Sequence, residues 1–220
     1  MRIKLSKDQA YKVNELTKNY QIIAGIDEVG RGPIAGPVVS CALVLENDYQ
    51  LDEIRDSKKL SDKKRRKLAQ ILLKDARAVG FGVVEPNVVD DINIRQATHL
   101  SMNLAVLNLL DDKPQALKPD LLLIDAEQIE SEIDQISITG GDDCVFLISC
   151  ASILAKVYRD DIMIDYAKKY PEDGFETHKG YGTKKHYLAI DKHGLSPIHR
   201  MSFMKKHFEK NGQKINRELG

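Results

Sequence analysis

The segment Gly25-Ile26-Asp27-Glu28-Val29-Gly30-Arg31-Gly32-Pro33 constrains this chain most: an apolar run through Ile22, Ile23, Ala24 and Ile26 ends in two acids and enters a glycine-rich turn. Ile22 to Ile26 read as a buried strand. Ionised carboxylates beside a core cost on the order of several kcal/mol unless a metal or cationic partner returns it, so something positive is expected at that edge. Gly30 and Gly32 let the main chain approach a ligand closely, with the Arg31 guanidinium beside them. Acid on one side and a donor loop on the other point to metal-assisted phosphate chemistry.

The glycine run fails as a dinucleotide fingerprint. Its third glycine comes one position late at Gly36, Pro33 removes an amide, and Asp27 and Glu28 would repel a pyrophosphate. A catalytic pair of hard cations needs three or four carboxylates converging from different elements. Asp27, Glu28 and Asp125 supply three, and Asp142, after Gly140-Gly141, is the fourth candidate, with Asp143 as its substitute. Read alone, Asp125 or Asp142 serves equally well as a turn residue. Neighbours on a strand face opposite ways, so Asp27 and Glu28 share a site only if the strand ends or twists near Gly30.

Periodicity predicts a short helix over residues 7–19, strands over 21–27 and 38–45, and a basic helix from a Ser61 cap to about Ala76. A strand at 79–84 and an amphipathic helix over 88–110 follow, the helix with Leu100, Leu104 and Leu107 on one stripe. Leu121 to Ile124 reads as a central strand ending in Asp125, and 145–148 as another short strand. The next helix runs over 151–170, and a last one runs from Thr183 to His193 before Gly194. Strands paired first by a hairpin and later alternating with helices predict an α/β fold, a mixed sheet flanked by helices on both faces. Residues 1–20 are a helical lead-in, 21–194 the catalytic domain and 195–220 a helical C-terminal extension.

Acidic and basic residues both number 33, so net charge gives no bias toward a partner, but their distribution is segregated. Arg55 to Lys67 holds eight basic and two acidic residues, whereas Asp120 to Asp143 holds eight acids and no base. Cys41, Cys144 and Cys150 make no Cys-x-x-Cys pair and suit a reducing compartment. No signal peptide or membrane span is evident, so the cytoplasm is expected, and the lack of a hydrophobic dimer seam leaves a monomer as the default. Five of the six histidines lie from His178 onward without zinc-site spacing and read as surface or phosphate contacts.

Five segments in order resemble ribonuclease HII, the type 2 family of ribonucleases H: Gly25 to Pro33, Asp-Ser-Lys-Lys-Leu-Ser from Asp56, Ile-Asp-Ala from Ile124, Ala-Ser-Ile-Leu-Ala-Lys-Val-Tyr-Arg-Asp from Ala151, and His-Lys-Gly-Tyr-Gly-Thr from His178. The resemblance implies a ribonuclease H-like fold and an endonuclease that cuts the RNA strand of RNA–DNA hybrids. It also implies nicking of DNA at embedded ribonucleotides, leaving 3′-hydroxyl and 5′-phosphate ends, with two Mg²⁺ or Mn²⁺ ions held by Asp27, Glu28, Asp125 and Asp142. Gly30, Arg31 and Gly32 correspond to the family's reader of the ribose 2′-hydroxyl, and Tyr181 to the tyrosine that packs on the neighbouring deoxyribose. Lys58, Lys59, Lys156 and His178 are further candidate substrate contacts. Two departures stand out: Asp125-Ala126 where the family has Asp-Gly, and Gly140-Gly141-Asp142 where it has Lys-Gly-Asp. A DNA-directed nuclease of the same architecture, resolvase- or transposase-like, is the rival reading.

Overall fold

Apolar runs long enough to be covered on both faces set the sheet. The computed structural model describes residues 1–54, 60–111 and 117–210. Its strands are β1 (Arg2–Leu5), β2 (Ile23–Val29), β3 (Val38–Val44), β4 (Ala78–Val84), β5 (Leu121–Asp125) and β6 (Asp134–Ile138), in the spatial order β1-β6-β5-β2-β3-β4. All seven residues of β3 are buried, as are Leu121 to Ile124 of β5. From β1 to β2 the neighbours pair in parallel, and β2, β3 and β4 pair antiparallel. Ile26 pairs with Ile124, so one step further Asp27 and Asp125 stand side by side at the carboxyl ends of two parallel strands. That rim is where open α/β sheets place their ligands.

The helices are α1 (Val13–Leu16), α2 (Asp62–Asp75), α3 (Pro86–Asp111), α4 (Gly141–Cys144), α5 (Phe146–Lys169), α6 (Phe175–His178), α7 (Lys184–His193) and α8 (Met201–Lys210). On one face Cys150, Ile153 and Leu154 of α5 pack with Leu68 and Leu72 of α2 against Cys41 and Leu43. On the other, Met102, Ala105, Val106 and Leu109 of α3 cover Ala24, Ile26, Ala42 and Ile124. Each Leu, Ile, Val or Met among them contributes about 1.5–3 kcal/mol by leaving water. Helix α3 lies unusually close to β4 because Gly80 and Gly82 present no side chain there. A Cβ on Gly82 would overlap the Ser101 carbonyl oxygen and come within 2.7 Å of Ala105 N. No helix among the described residues is long and apolar enough to cross a membrane.

The mixed sheet with helices on both faces is as expected, and Ser61 and Thr183 cap α2 and α7 by accepting from Lys64 N and His186 N. Several local expectations differ. Residues 1–20 are not simply a helical lead-in, since Arg2–Leu5 adds an edge strand beside β6. Strand β6 itself, inside the acidic stretch, was not expected. Residues 146–148 begin α5 instead of forming a strand, because that apolar run is enclosed by β5, β6 and the residues around Val13. The Leu100 and Leu107 stripe faces outward, and Ala97, Met102, Ala105 and Leu109 are the buried face of α3.

Candidate active site

The strand pleat sends Asp27 and Glu28 to opposite faces, and Asp125 lies between them electrostatically. Asp27 is buried against α5, where it receives a hydrogen bond from Ser152. Burial lifts its carboxyl well above the ordinary range, and the charges of Glu28 and Asp125 push it further. Glu28 turns toward Arg31, whose Nη1 is 3.4 Å from Oε1. Its pKa is raised to about 7, first by burial, with Arg31 opposing and Asp125 and Glu127 adding to the rise. Its second oxygen, Oε2, is buried without a hydrogen-bond partner.

Asp125 ends β5 and accepts a 2.6 Å hydrogen bond at Oδ1 from Gly141 N, which joins it to the turn carrying Asp142. Gly141 has no side chain to obstruct this approach; a Cβ there would meet Ile148 Cδ1 at 2.6 Å. Gly140 sits in the left-handed region (φ 69°), the conformation glycine favours, at the position where the resemblance led to an expected lysine. Ala126, by contrast, adopts φ 54° with a Cβ to accommodate. The Asp142 carbonyl accepts from Ser149 Oγ at 2.6 Å, which ties the turn to α5. Asp143 is drawn toward Lys7, 3.0 Å from its Oδ2.

Four acids from β2, β5 and the α4 turn therefore share one rim. Among the described residues, no three His, Cys, Asp or Glu side chains already converge tightly enough to hold an ion. The fit to divalent cations lies in the donor chemistry. All the donors are carboxylates, the oxygen ligands hard cations prefer; burial and neighbouring acids raise the pKa of two of them, a cost a cation would offset, and one buried oxygen lacks a partner.

Glu127, which the sequence reading did not single out, braces the rim. It takes Arg31 Nη1 at 3.0 Å and His99 Nε2 at 3.0 Å. Burial would raise its carboxyl, but these two hydrogen bonds outweigh burial and hold it below its ordinary value. Its only sequence signal is its place two residues beyond Asp125.

Beside the acids, the Gly30–Gly36 loop is held by two fully buried arginines. Arg159 of α5 donates to the carbonyls of Pro37 (2.9 Å), Lys179 (2.9 Å) and Ala35 (3.1 Å). Arg200 donates to Gly30 (2.7 Å), Arg31 (3.2 Å), Pro33 (2.9 Å) and Gly36 (2.7 Å). Burial pushes Arg159 down to about 10 and, with Arg159 adding, Arg200 down to about 9, so both stay charged at neutral pH. Arg159 lay in a matched segment, but nothing in the sequence marked Arg200.

Tyr181 is 43% exposed, and its Cε1 lies 3.8 Å from where a Cβ on Gly32 would sit. The expected tyrosine and glycine loop are thus neighbours. The histidines correct the surface reading: His178, His186 and His199 are buried. His178 accepts from Gly180 N at Nδ1, leaving Nε2 to donate to the Asp173 carbonyl, so its ring shapes the loop from within. Lys156 Nζ is 2.6 Å from Asp160 Oδ1, a bond within α5. Lys58 and Lys59 lie outside the described residues.

The family model for ribonuclease HII matches residues 24–209. The ribonuclease HII of Clostridioides difficile (strain 630) is 48% identical over 189 residues, covering 86% of this chain and 72% of that protein. That of Enterococcus faecalis (strain ATCC 700802 / V583) is 47% identical over 197 residues, 90% and 73% of the two chains. The crystal structure of the ribonuclease H2 from Pyrococcus horikoshii OT3 superposes with a TM-score of 0.68 at 25% identity, covering 86% of this chain and all of that one. The Mn²⁺ complex of Bst-RNase HIII shares the fold at a TM-score of 0.66 and 16% identity, covering 88% of this chain and 70% of that one.

Proposed function

The chain belongs to the ribonuclease HII family, and from that premise we propose that this ribonuclease H cuts the RNA strand of RNA–DNA hybrids and nicks duplex DNA at embedded ribonucleotides. Asp27, Glu28, Asp125 and Asp142 would hold two divalent ions, Mg²⁺ or Mn²⁺. Asp142 is preferred to Asp143 because Lys7 engages the latter. Bound there, the ions would activate a water toward phosphorus and stabilise the departing 3′ oxygen, giving 3′-hydroxyl and 5′-phosphate ends. The observation that carries this reading is the buried acid pair at the rim, with Glu28 Oε2 unpaired, set against a rigid glycine loop.

The chain's own residues do the rest. Ser152 and Gly141 N orient Asp27 and Asp125 by hydrogen bonds. Arg31, braced by Glu127, sets a cation beside Glu28 where phosphate charge would arrive. Gly30 to Gly32 and Tyr181 would read the 2′-hydroxyl and the adjoining sugar, since that hydroxyl is what distinguishes RNA from DNA. Lys58, Lys59 and Lys156 would contact phosphates, and His178 would support the Tyr181 loop from beneath. The enzyme would act as a monomer in the cytoplasm.

The test is cleavage of a duplex with one ribonucleotide beside the same all-DNA duplex, with and without Mg²⁺ or Mn²⁺. Metal-dependent cutting confined to the first duplex is expected. Indifference to the ribonucleotide would favour a DNA-directed nuclease, and cutting without divalent ions would remove the acids from the chemistry.

A further inference from the structure

Resting on that reading, we propose that Arg200 and His199, which lie beyond α7, the helix that follows the last matched motif, are positioning residues that set both halves of the ribonucleotide reader. Arg200 acts on the glycine loop. Its guanidinium takes the Gly30 and Arg31 carbonyls, and because the described peptides are all trans, the amides of Arg31 and Gly32 must lie on the opposite edges of those planes. The neighbouring plane shows the result. Pro33 O accepts from Arg200 at 2.9 Å, while the amide on its other edge, Ile34 N, donates to Gly180 O at 2.9 Å. Arg200's own amide donates to Ile34 O at 2.8 Å, which fixes where the guanidinium starts. The fork thus turns two main-chain donors away from the core, on a loop that lies beside Tyr181 at Gly32.

His199 acts on the tyrosine half through a relay. The Tyr181 carbonyl, 2.9 Å from His186 Nδ1, can only accept, so His186 carries its proton on Nδ1 and its Nε2 accepts from His199 Nε2–H at 3.0 Å. His199 Nδ1, with the Ser196 carbonyl 3.1 Å away, then takes Ser196 N at 3.0 Å. The three bonds admit one neutral assignment, and each ring's tautomer depends on its neighbour's. Two consecutive residues therefore hold the loop's carbonyls and, through His186, the backbone of the tyrosine. A lysine at position 200 would keep the charge but offer at most three donors without the planar fork.

The experiment uses the full chain in an Asp27→Asn background that cannot cut. Binding of the one-ribonucleotide duplex and of the all-DNA duplex is measured by anisotropy in that background, and Mn²⁺ binding by the free-ion EPR signal with Asp27 intact. Arg200→Lys is expected to lower the ribonucleotide preference at least about tenfold while the Mn²⁺ dissociation constant stays within about twofold of its parent. His199→Gln should lower the preference about threefold, and this loss should vanish when Tyr181 is already Ala. A merely structural role would instead weaken both ligands together, or give His199 and Tyr181 losses that multiply. Either result, or an undiminished preference in folded Arg200→Lys, overturns the proposal, and if Arg200→Lys does not fold the His199–Tyr181 cycle decides. A parent without ribonucleotide preference brings down the functional reading, and this proposal with it. A parent that discriminates beside variants that discriminate equally brings down this proposal alone.

Discussion

The acidic rim and the arginine–histidine clasp both bury charged or titratable groups, but they resolve the cost in opposite ways. In the clasp the buried charge is met by acceptors: Arg200 makes five bonds to carbonyls and Arg159 three, and the histidines pair in a chain of neutral rings. At the rim, Glu28 Oε2 is the one buried side-chain oxygen or nitrogen among the described residues without a partner, and the acids raise one another's pKa. The rim proposed to receive divalent ions is left short of positive charge, while the loop beside it is held by many bonds.

The hardest blow to this contrast would be an Asp27→Asn protein that still cuts. Cleavage is expected to fall at least about a thousandfold, as when a central catalytic group is lost. Thermal melting should rise at the same time, because a buried repelling charge has gone and Ser152 can still bond the amide. Lower activity with lower stability would mean that Asp27 belongs to the frame.

The two glycines of the loop separate frame from ligand side. A Cβ on Gly30 (φ 98°) would come within 2.6 Å of the Pro37 carbonyl and overlap Arg159 Nε, so Gly30→Ala should cost about 2–4 kcal/mol in chemical denaturation. Gly32 has only Tyr181 at ordinary contact distance. Gly32→Ala should therefore melt within about 0.5 kcal/mol of the parent while weakening ribonucleotide preference. Equal stability losses in the two variants would remove the distinction.

The pH dependence of stability sharpens the comparison further. Glu28 is lifted from 4.5 to about 7, so between those values the folded state holds a proton that the unfolded chain has released, and stability falls as pH rises. His186 and His199, lowered by burial from 6.5 to about 4, do the reverse: the unfolded chain takes up protons first, and stability falls as pH drops from 6.5 to 4. Each effect is at most on the order of 3 kcal/mol. The metal-free parent should show a shallower melting profile between pH 4.5 and 6.5 than Glu28→Gln, which loses one carboxyl that opposes the two histidines while Asp27, also raised by burial, remains. A Glu28→Gln profile no steeper than the parent's would mean that folded Glu28 does not hold the extra proton.

The smallest expected effect concerns Ala126, whose φ of 54° places a methyl group in a region that suits glycine. Ala126→Gly should stabilise by about 0.5–1 kcal/mol, the strain relieved being partly offset by the freer unfolded chain. Destabilisation in a denaturant titration would show that Ala126 is relaxed.

The rim was legible in the sequence because its acids interrupt apolar runs, and an ion at the end of a buried strand needs a reason. Strands β2, β3, β4 and β5 were legible on the same ground. Strand β1, four residues with alternating charge, acquires its meaning only from pairing with β6, and β6 is masked by the acids around it. Residues 146–148 misled because a short apolar run has no period to distinguish strand from helix. The clasp was invisible for a different reason. Arginine and histidine read as surface residues, and Arg200 is recognisable as a core residue only once carbonyls more than 160 positions earlier fold onto it.

The thin contact between Gly82 and the backbone of α3 reaches further than it first suggests. His99 rides on that helix, and through Glu127 it steadies the Arg31 side chain. A single methyl on the underside of the sheet would jack the helix outward and loosen, by way of a histidine and a glutamate, the Arg31 guanidinium beside Glu28. The floor of this molecule is in that sense part of its grip.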